Sequence, residues 1–209
     1  LLLANVTLAN NTADSDADDF GSGGGLWSDT ATVTVQNSLL AANQDLSVAP
    51  AEVYPDCAAA PGDITSNGYN LVGAGDGCNW FDAGGDQVGS SATPIDPLLG
   101  PLAANGGDTL TQALLPGSPA IDAANPATPG SGGAACELTD QRGVARPLDG
   151  NGDSTPVCDS GAFEAPSLAT PTPTPTYTPT PTATSTATPT ASATPTASAT
   201  PTDTPTPTM

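Results

Sequence analysis

The chain has 209 residues, and 22 of them are Asp or Glu while only two are cationic, so its formal net charge is −20 at pH 7. Nucleic acids and anionic membrane surfaces bind clustered Lys and Arg, so this composition argues against both as partners. No apolar run approaches the roughly 20 residues of a membrane-spanning helix, and no transmembrane segment is predicted.

Residues 1–100 contain a weak internal repeat. NVTLANN at 5–11 aligns with NSLLAAN at 37–43, an offset of 32 positions, and ITSNGYNLV at 64–72 is a weaker third copy. Between the copies, ATVTVQN at 31–37 alternates apolar and polar residues and is rich in β-branched types, which predicts a strand. Repeats of this length with short strands favour a solenoid, in which stacked coils bury a shared core.

The Asn residues of the repeat suit coil corners. Asn tolerates a left-handed backbone, and its amide can bond to the equivalent residue one coil away. Aromatic residues make up only 4% of the chain, so the expected core is thin and filled by Leu, Val, Ile and Ala. A β-sandwich with Asn in its turns is the alternative. Residues 13–30, 44–63 and 74–93 are rich in turn-forming residues and are predicted to be loops.

The four cysteines indicate disulfides. The chain has no His and no CxxC spacing, which disfavours zinc and redox sites and favours an oxidising compartment. Four cysteines allow three pairings, and we expect the local pairs Cys57–Cys78 and Cys136–Cys158, each closing a loop of about twenty residues.

Residues 101–166 are predicted to form a separate terminal block after the coils. Short apolar runs occur at Leu110, Ala113–Leu115, Ala120–Asp122 and Gly161–Phe163, and Gly, Pro, Asn and Asp separate them. This pattern is typical of brief strands and tight turns rather than of helices.

Residues 167–209 are predicted to be a disordered linker or stalk. From Ala169 onwards the sequence is almost only Thr, Pro, Ala and Ser, with a single charge at Asp203, and it has no apolar periodicity from which to build a core. Its prolines favour extended polyproline II. The composition fits either an O-glycosylated stalk or a bare flexible tail.

One short motif suggests calcium. Asp149, Asn151 and Asp153 alternate oxygen-bearing side chains, as the first half of a calcium loop does. Ser154 replaces the usual turn glycine, however, and Ser160 stands where an EF-hand has its bidentate Glu. A Gly-rich turn is the simpler interpretation. The acidic run of Asp14, Asp16, Asp18 and Asp19 is a second calcium candidate, for which we favour a solvated loop.

Arg142 and Arg146 are the only cationic side chains, and we expect them to be structural. Their guanidinium groups can pair with Asp140, Asp122 or Glu164 and hold the last coil in place by bidentate contacts. The alternative is catalytic, since polysaccharide lyases built on β-helices commonly use Lys or Arg as a base. The chain offers no Ser–His or Cys–His arrangement, and no catalytic or cofactor-binding residue is predicted.

The terminal block also carries a family resemblance. PLAANGGDTLTQALLPGSPAIDA, TDQRGVARPLDGNGD and CDSGAFE resemble the C-terminal region of bacterial right-handed parallel β-helix surface proteins of the choice-of-anchor Q class. The resemblance is most specific at Asp140–Gly143, Arg146–Pro147 and Gly161–Glu164. It implies an exported β-helix held at the cell surface by a variable C-terminal device, and it implies no defined activity.

Two functions follow as expectations. The first is a non-enzymatic surface module, the C-terminal part of a longer β-helix, that contacts an extracellular glycan or another surface protein from a Thr/Pro stalk. The alternative is a fragment of a secreted polysaccharide hydrolase or lyase whose catalytic coils lie upstream.

Overall fold

The computed structural model describes residues 1–16, 18, 21–48, 53–78 and 81–168. Leu1–Thr172 form one compact unit, and the Thr/Pro segment predicted to be disordered lies outside the described residues. The described part of the chain contains strands and turns but no helix, which confirms the all-β prediction. It therefore contains no helix long and apolar enough to cross a membrane.

The strands are short, from two to five residues, as expected for a chain punctuated by Gly, Pro, Asn and Asp. In chain order they are β1 Leu2–Ala4, β2 Thr7–Leu8, β3 Thr12–Ala13, β4 Leu26–Ser28, β5 Val33–Gln36, β6 Leu39–Leu40, β7 Gln44–Asp45, β8 Cys57–Ala59, β9 Ile64–Ser66, β10 Leu71–Val72, β11 Gln87–Val88, β12 Leu99–Ala103 and β13 Thr111–Leu114.

The first eleven strands pair in parallel. The sheets have the strand orders β1-β5-β9, β2-β6-β10-β11, β3-β7 and β4-β8. Thr7 pairs with Leu39 and Leu39 with Leu71, so the register follows the 32-residue repeat of the sequence. Val33 pairs with Ile64, one position short of that offset. Equivalent residues of successive repeats therefore lie side by side.

The core lies along the inner faces of these sheets. Val33 and Val35 of β5 are buried whereas Thr34 between them is only partly so, which confirms the strand predicted from alternation. Thr34 and Thr65 place their hydroxyl oxygens 3.2 Å apart on the outer face. The inner side chains are mainly the aliphatic residues expected: Val33, Val35, Leu40, Ile64 and Val72, with Cys57, Cys78 and Phe81.

Asn occupies the corners, as its conformational tolerance suggests. Asn5 and Asn37, which are 32 positions apart, both have left-handed backbones, with φ of 52° and 49°. Tyr69 takes the same conformation in the third repeat, with φ of 62°, which the sequence did not indicate. Amide bonding between repeats is also present, since Asn11 Nδ2 donates to Asn43 Oδ1 at 2.9 Å.

Both expected disulfides are present. Cys57–Cys78 joins β8 to the turn after β10, with the two Cα atoms 5.7 Å apart. Cys136–Cys158 joins two segments of the terminal block, with its Cα atoms 6.6 Å apart. No described cysteine is left over.

Three segments that were predicted to be loops also contain short strands. Segment 13–30 includes the end of β3 and all of β4, segment 44–63 includes β7 and β8, and segment 74–93 includes β11. Turn residues dominate these segments, but the neighbouring repeat supplies a parallel partner for each short strand, as β8 does for β4.

The terminal block has fewer strands than predicted. Strands β12 and β13 pair antiparallel, with Ala103 opposite Thr111. Ala120–Asp122 and Gly161–Phe163, predicted to be strands, are turns instead. Asp122 and Gly161 have φ of 53° and 101°, and such backbones cannot continue a strand.

Candidate functional site

The terminal block folds back onto the corners of the repeats. Asn37 is fully buried, and both polar atoms of its side-chain amide bond residues of this block. Its Nδ2 donates to Ala134 O at 2.8 Å, and its Oδ1 accepts from Asn125 N at 2.9 Å. Gly161 N donates to Asn37 O at 2.8 Å. The left-handed corner therefore serves as a docking point between the two parts of the chain.

The neighbouring corners are held in the same way. Glu137 N donates to Asn5 Oδ1 at 3.0 Å, and Ser160 Oγ donates to Tyr69 O at 2.9 Å. These contacts join the terminal block to the left-handed corners at Asn5, Asn37 and Tyr69. Ala162 N also donates to Thr7 Oγ1, at 2.9 Å, beside the first corner.

A cavity of about 580 Å³ lies between the first repeat and the terminal block, and we call it the groove. Residues 7–11 line one side, and residues from 101–112, 141 and 162–163 line the other. Its polar groups are amides and hydroxyls, including Asn10, Asn11, Gln112 and Gln141. None of the described residues that line it is charged, although the chain as a whole is strongly acidic.

Hydrogen bonds hold the two glutamines of the groove. Gln141 Nε2 donates to Thr109 Oγ1 at 2.8 Å, and Gln141 N donates to Ala162 O at 3.0 Å. Gln112 Nε2 donates to Gly100 O at 3.3 Å. The groove thus presents amides that its own framework already orients.

Arg142 supports the wall of the groove from behind. Its guanidinium carbon lies 3.5 Å from the centroid of the Phe163 ring, a cation–π contact. Its Nε and Nη2 donate to Asp140 Oδ2 at 2.8 and 2.6 Å. Because Phe163 lines the groove, this arginine fixes one of its surfaces.

Arg146 forms the second ion pair, with Glu164 at 2.9 Å, and both side chains are fully buried. Arg146 also donates to the main-chain oxygens of Asp159 and Gly161, each at 2.7 Å. Glu164 accepts in addition from Leu148 N at 2.7 Å and Asp159 N at 3.0 Å. We refer to Arg142, Arg146, Asp140, Asp159 and Glu164 as the ionic cluster.

Of the three acids suggested as arginine partners, the structure pairs Asp140 with Arg142 and Glu164 with Arg146. Asp122 pairs with neither. Its carboxylate accepts instead from Asn151 N at 2.8 Å and Val157 N at 3.2 Å.

Burial shifts the pKa values of the cluster. Burial, together with the nearby charge of Glu164, raises the pKa of Asp159 to about 7 against the opposing hydrogen bonds from Ala165 N and Asp122 N. Burial also raises the pKa of Glu164. Burial raises that of Asp140 too, but hydrogen bonds from Glu164 N and Arg142 outweigh it and hold its pKa below the ordinary value.

The suggested calcium residues lie in one turn, where their oxygens bind backbone amides. Asp149 accepts from Gly152 N at 2.7 Å and from Ser154 N at 2.9 Å. Asn151 Oδ1 accepts from Asp153 N at 2.8 Å. Such bonds stabilise the turn without any ion, and calcium at this position stays a prediction.

The earlier acidic run brings three carboxylates together. Ligand oxygens of Asp14, Asp16 and Asp18 lie within 4.8 Å of one another, and Asp19 falls outside the described residues. Asp14 Oδ1 accepts from Asp18 N at 3.0 Å, so this run is also organised as a turn.

The groove was not predicted from the sequence. Its residues come from segments more than 90 positions apart and form no motif. Asp159 was also missed as part of the ionic cluster, although the resemblance in CDSGAFE pointed to its neighbourhood. No family model matches the chain, and comparison with curated proteins and with solved structures finds no match.

Proposed function

We propose that residues 1–166 form a right-handed parallel β-helix. Support comes from parallel pairing at offsets of 31 and 32 positions and from left-handed corners at Asn5, Asn37 and Tyr69. A right-handed path is the general preference for parallel crossovers. The β-sandwich alternative requires antiparallel layers packed face to face, and the first eleven strands pair in parallel instead.

The protein acts, in this proposal, as a non-enzymatic extracellular module that binds a neutral glycan in the groove. The observation that carries it is the uncharged lining of the groove in a chain of net charge −20. Amides and hydroxyls match the alternating donors and acceptors of sugar hydroxyls, while the exposed side chains of Leu102 and Leu110 offer apolar contact to sugar C–H groups.

The negative charge of the protein favours neutral glycans over anionic ones. A strongly acidic surface repels anionic polymers such as pectin and alginate and leaves neutral chains unaffected. Two disulfides support an oxidising, extracellular location for this activity. The resemblance to choice-of-anchor surface proteins supports display at a bacterial surface, with the Thr/Pro segment as the spacer.

Binding to soluble neutral polysaccharides, measured by calorimetry together with an assay for new reducing ends, tests the proposal. We expect binding without cleavage. Gln112→Ala and Gln141→Ala should each weaken binding about five- to tenfold, the value of one lost hydrogen bond. Gln87→Ala is the matched control, because Gln87 bonds Pro119 O at 2.8 Å and does not line the groove.

Two results would overturn this function. One is equal affinity of the groove variants and the control. The other is turnover of the polymer that a single Asp→Asn change abolishes, which would support the hydrolase or lyase alternative.

A further inference from the structure

Trp27 is a large aromatic side chain that the fold leaves in solvent. It is 60% exposed on β4, whereas the next residue, Ser28, is buried and Leu26 packs against the core. Fully burying a side chain of this size would contribute roughly 1.5–3 kcal/mol. Trp is enriched at interfaces, because its large apolar ring packs against a partner while its N–H forms a hydrogen bond.

Trp27 forms one wall of a cavity of about 430 Å³, within the range of small-molecule sites. The other walls are Ala13, Asp14, Gly21 and Ser22. The cavity therefore combines an indole surface with a carboxylate and a hydroxyl. It shares no lining residue with the groove.

Hydrogen bonds and close packing hold the backbone at Gly21 and at β4, the strand that carries Trp27. Ser47 Oγ donates to Gly21 O at 3.2 Å. Gly21 lies so close to the end of β3 that a Cβ there would be 2.9 Å from Asp14 N. Leu26 N donates to Asp56 O at 3.1 Å, which anchors the strand that carries Trp27. These contacts hold the backbone on both sides of the cavity.

We propose that this cavity binds one pyranose ring of a neutral saccharide, stacked on the indole of Trp27. A pyranose has an apolar C–H face that fits a flat aromatic surface, and a rim of hydroxyls that suits the hydroxyl of Ser22. The negative charge of the chain disfavours uronic acids and sulfated sugars. The inference rests on the proposed glycan function and adds a contact separate from the groove.

Tryptophan fluorescence tests the stacking directly. The chain has two tryptophans, so Trp80→Phe leaves Trp27 as the only reporter. The probes are methyl glycosides and short oligomers of glucose, galactose, mannose and xylose, with N-acetyl-lysine amide as a cationic competitor. We expect one or more neutral sugars to shift the emission of the Trp80→Phe protein with a saturable curve.

Two substitutions at the platform quantify the contact. We expect Trp27→Ala to weaken sugar binding at least tenfold and Trp27→Phe to weaken it less, because a smaller aromatic face remains. Far-UV circular dichroism and thermal melting control for folding, and neither should change much when a mostly exposed side chain is replaced.

The outcomes separate this inference from the proposed function. If Gln112→Ala and Gln141→Ala weaken binding while Trp27→Ala does not, the Trp27 site is wrong and the groove stands. If Trp27→Ala alone weakens binding, the Trp27 site stands and the groove is wrong. Saturation by the lysine amide but by no sugar would contradict the saccharide assignment.

Discussion

At the scale of single residues, the terminal block depends on a buried pair. Arg146 and Glu164 are fully buried, and in the described part of the chain the one ion pair of the Glu164 carboxylate is with Arg146. Breaking such a pair by removing one partner leaves an uncompensated charge, which typically costs about 3–5 kcal/mol. The structural role suggested for the arginines therefore makes a quantitative prediction.

Arg146→Met should lower the free energy of unfolding by about 3–5 kcal/mol, measured by chemical denaturation, because Glu164 is stranded. The double variant Arg146→Met/Glu164→Gln removes both charges, keeps an amide oxygen that can accept from Leu148 N or Asp159 N, and should recover part of this loss. A single variant as stable as the wild type would show that the pair does not hold the block.

Asp159 makes stability depend on pH. Its folded pKa of about 7 lies above the ordinary value of 3.8, so the folded state binds a proton more tightly than the unfolded state does. The stability from this group is fully present below pH 3.8 and is lost as the pH rises through 7. Above that pH the contribution is constant.

We expect Asp159→Asn to flatten the decline in stability between pH 4.5 and 7, relative to the wild type, in thermal melts across about that range. The slope of stability against pH is compared rather than the absolute stability. Asn keeps only one of the two acceptor oxygens that bind Asp122 N and Ala165 N, so the substitution also changes the absolute stability. Parallel profiles for the two proteins would contradict the raised pKa.

Single-residue chemistry was only partly predictable from the sequence. Arg142 and Arg146 stood out because no other cation competes for the acids, and two of the three suggested partners were found. Asp159 looked like any other Asp in an acidic chain. Its distinctive pKa arises from burial beside Glu164, and burial depends on packing that no local pattern records.

At the scale of elements, the stacking of short strands relies on a column of polar side chains. Asn43 lies between two repeats: its Oδ1 accepts from Asn11 N at 3.0 Å, and its Nδ2 donates to Asp56 Oδ1 at 2.9 Å. Asn43 Nδ2 also lies 2.9 Å from Leu8 O. Asp56 ends the column, since its Oδ2 accepts from Ala74 N at 2.6 Å.

Asn43→Ala should lower the free energy of unfolding by about 2 kcal/mol or more, because it removes the buried amide that bonds Asn11 N, Leu8 O and Asp56 Oδ1. Gln44→Ala is the matched control, since Gln44 is the next residue in the chain and is exposed. Equal stability of the two variants in urea denaturation would show that the column contributes nothing.

The register in which the strands pair was easier to predict from the sequence than the number of strands. Repeated Asn and Leu positions gave the 32-residue offset that Thr7, Leu39 and Leu71 follow in the structure. Strands β4 and β8 escaped prediction because each has three residues within Gly- and Pro-rich sequence. Strands of this length have no measurable periodicity and exist through their parallel partners.

At the scale of the whole molecule, the groove exists because the terminal block returns to the first coil. Ala162 meets Thr7 across 155 positions of sequence, and this closure places Gln141 and Phe163 opposite Asn10 and Asn11. A site assembled across such a distance has no sequence signature. The all-β class and the disulfides could be predicted from local patterns, but the groove could not.

The central claim is that an uncharged groove in an acidic protein binds a neutral glycan. The most direct measurement is the dissociation constant for a neutral polysaccharide, by calorimetry, from about 0.05 to 0.5 M salt, because charge–charge attraction is strongly screened over that range. We expect affinity to change less than about twofold, as hydrogen bonds and apolar contacts dominate. A loss of tenfold or more, or no binding of any neutral glycan, would contradict the claim.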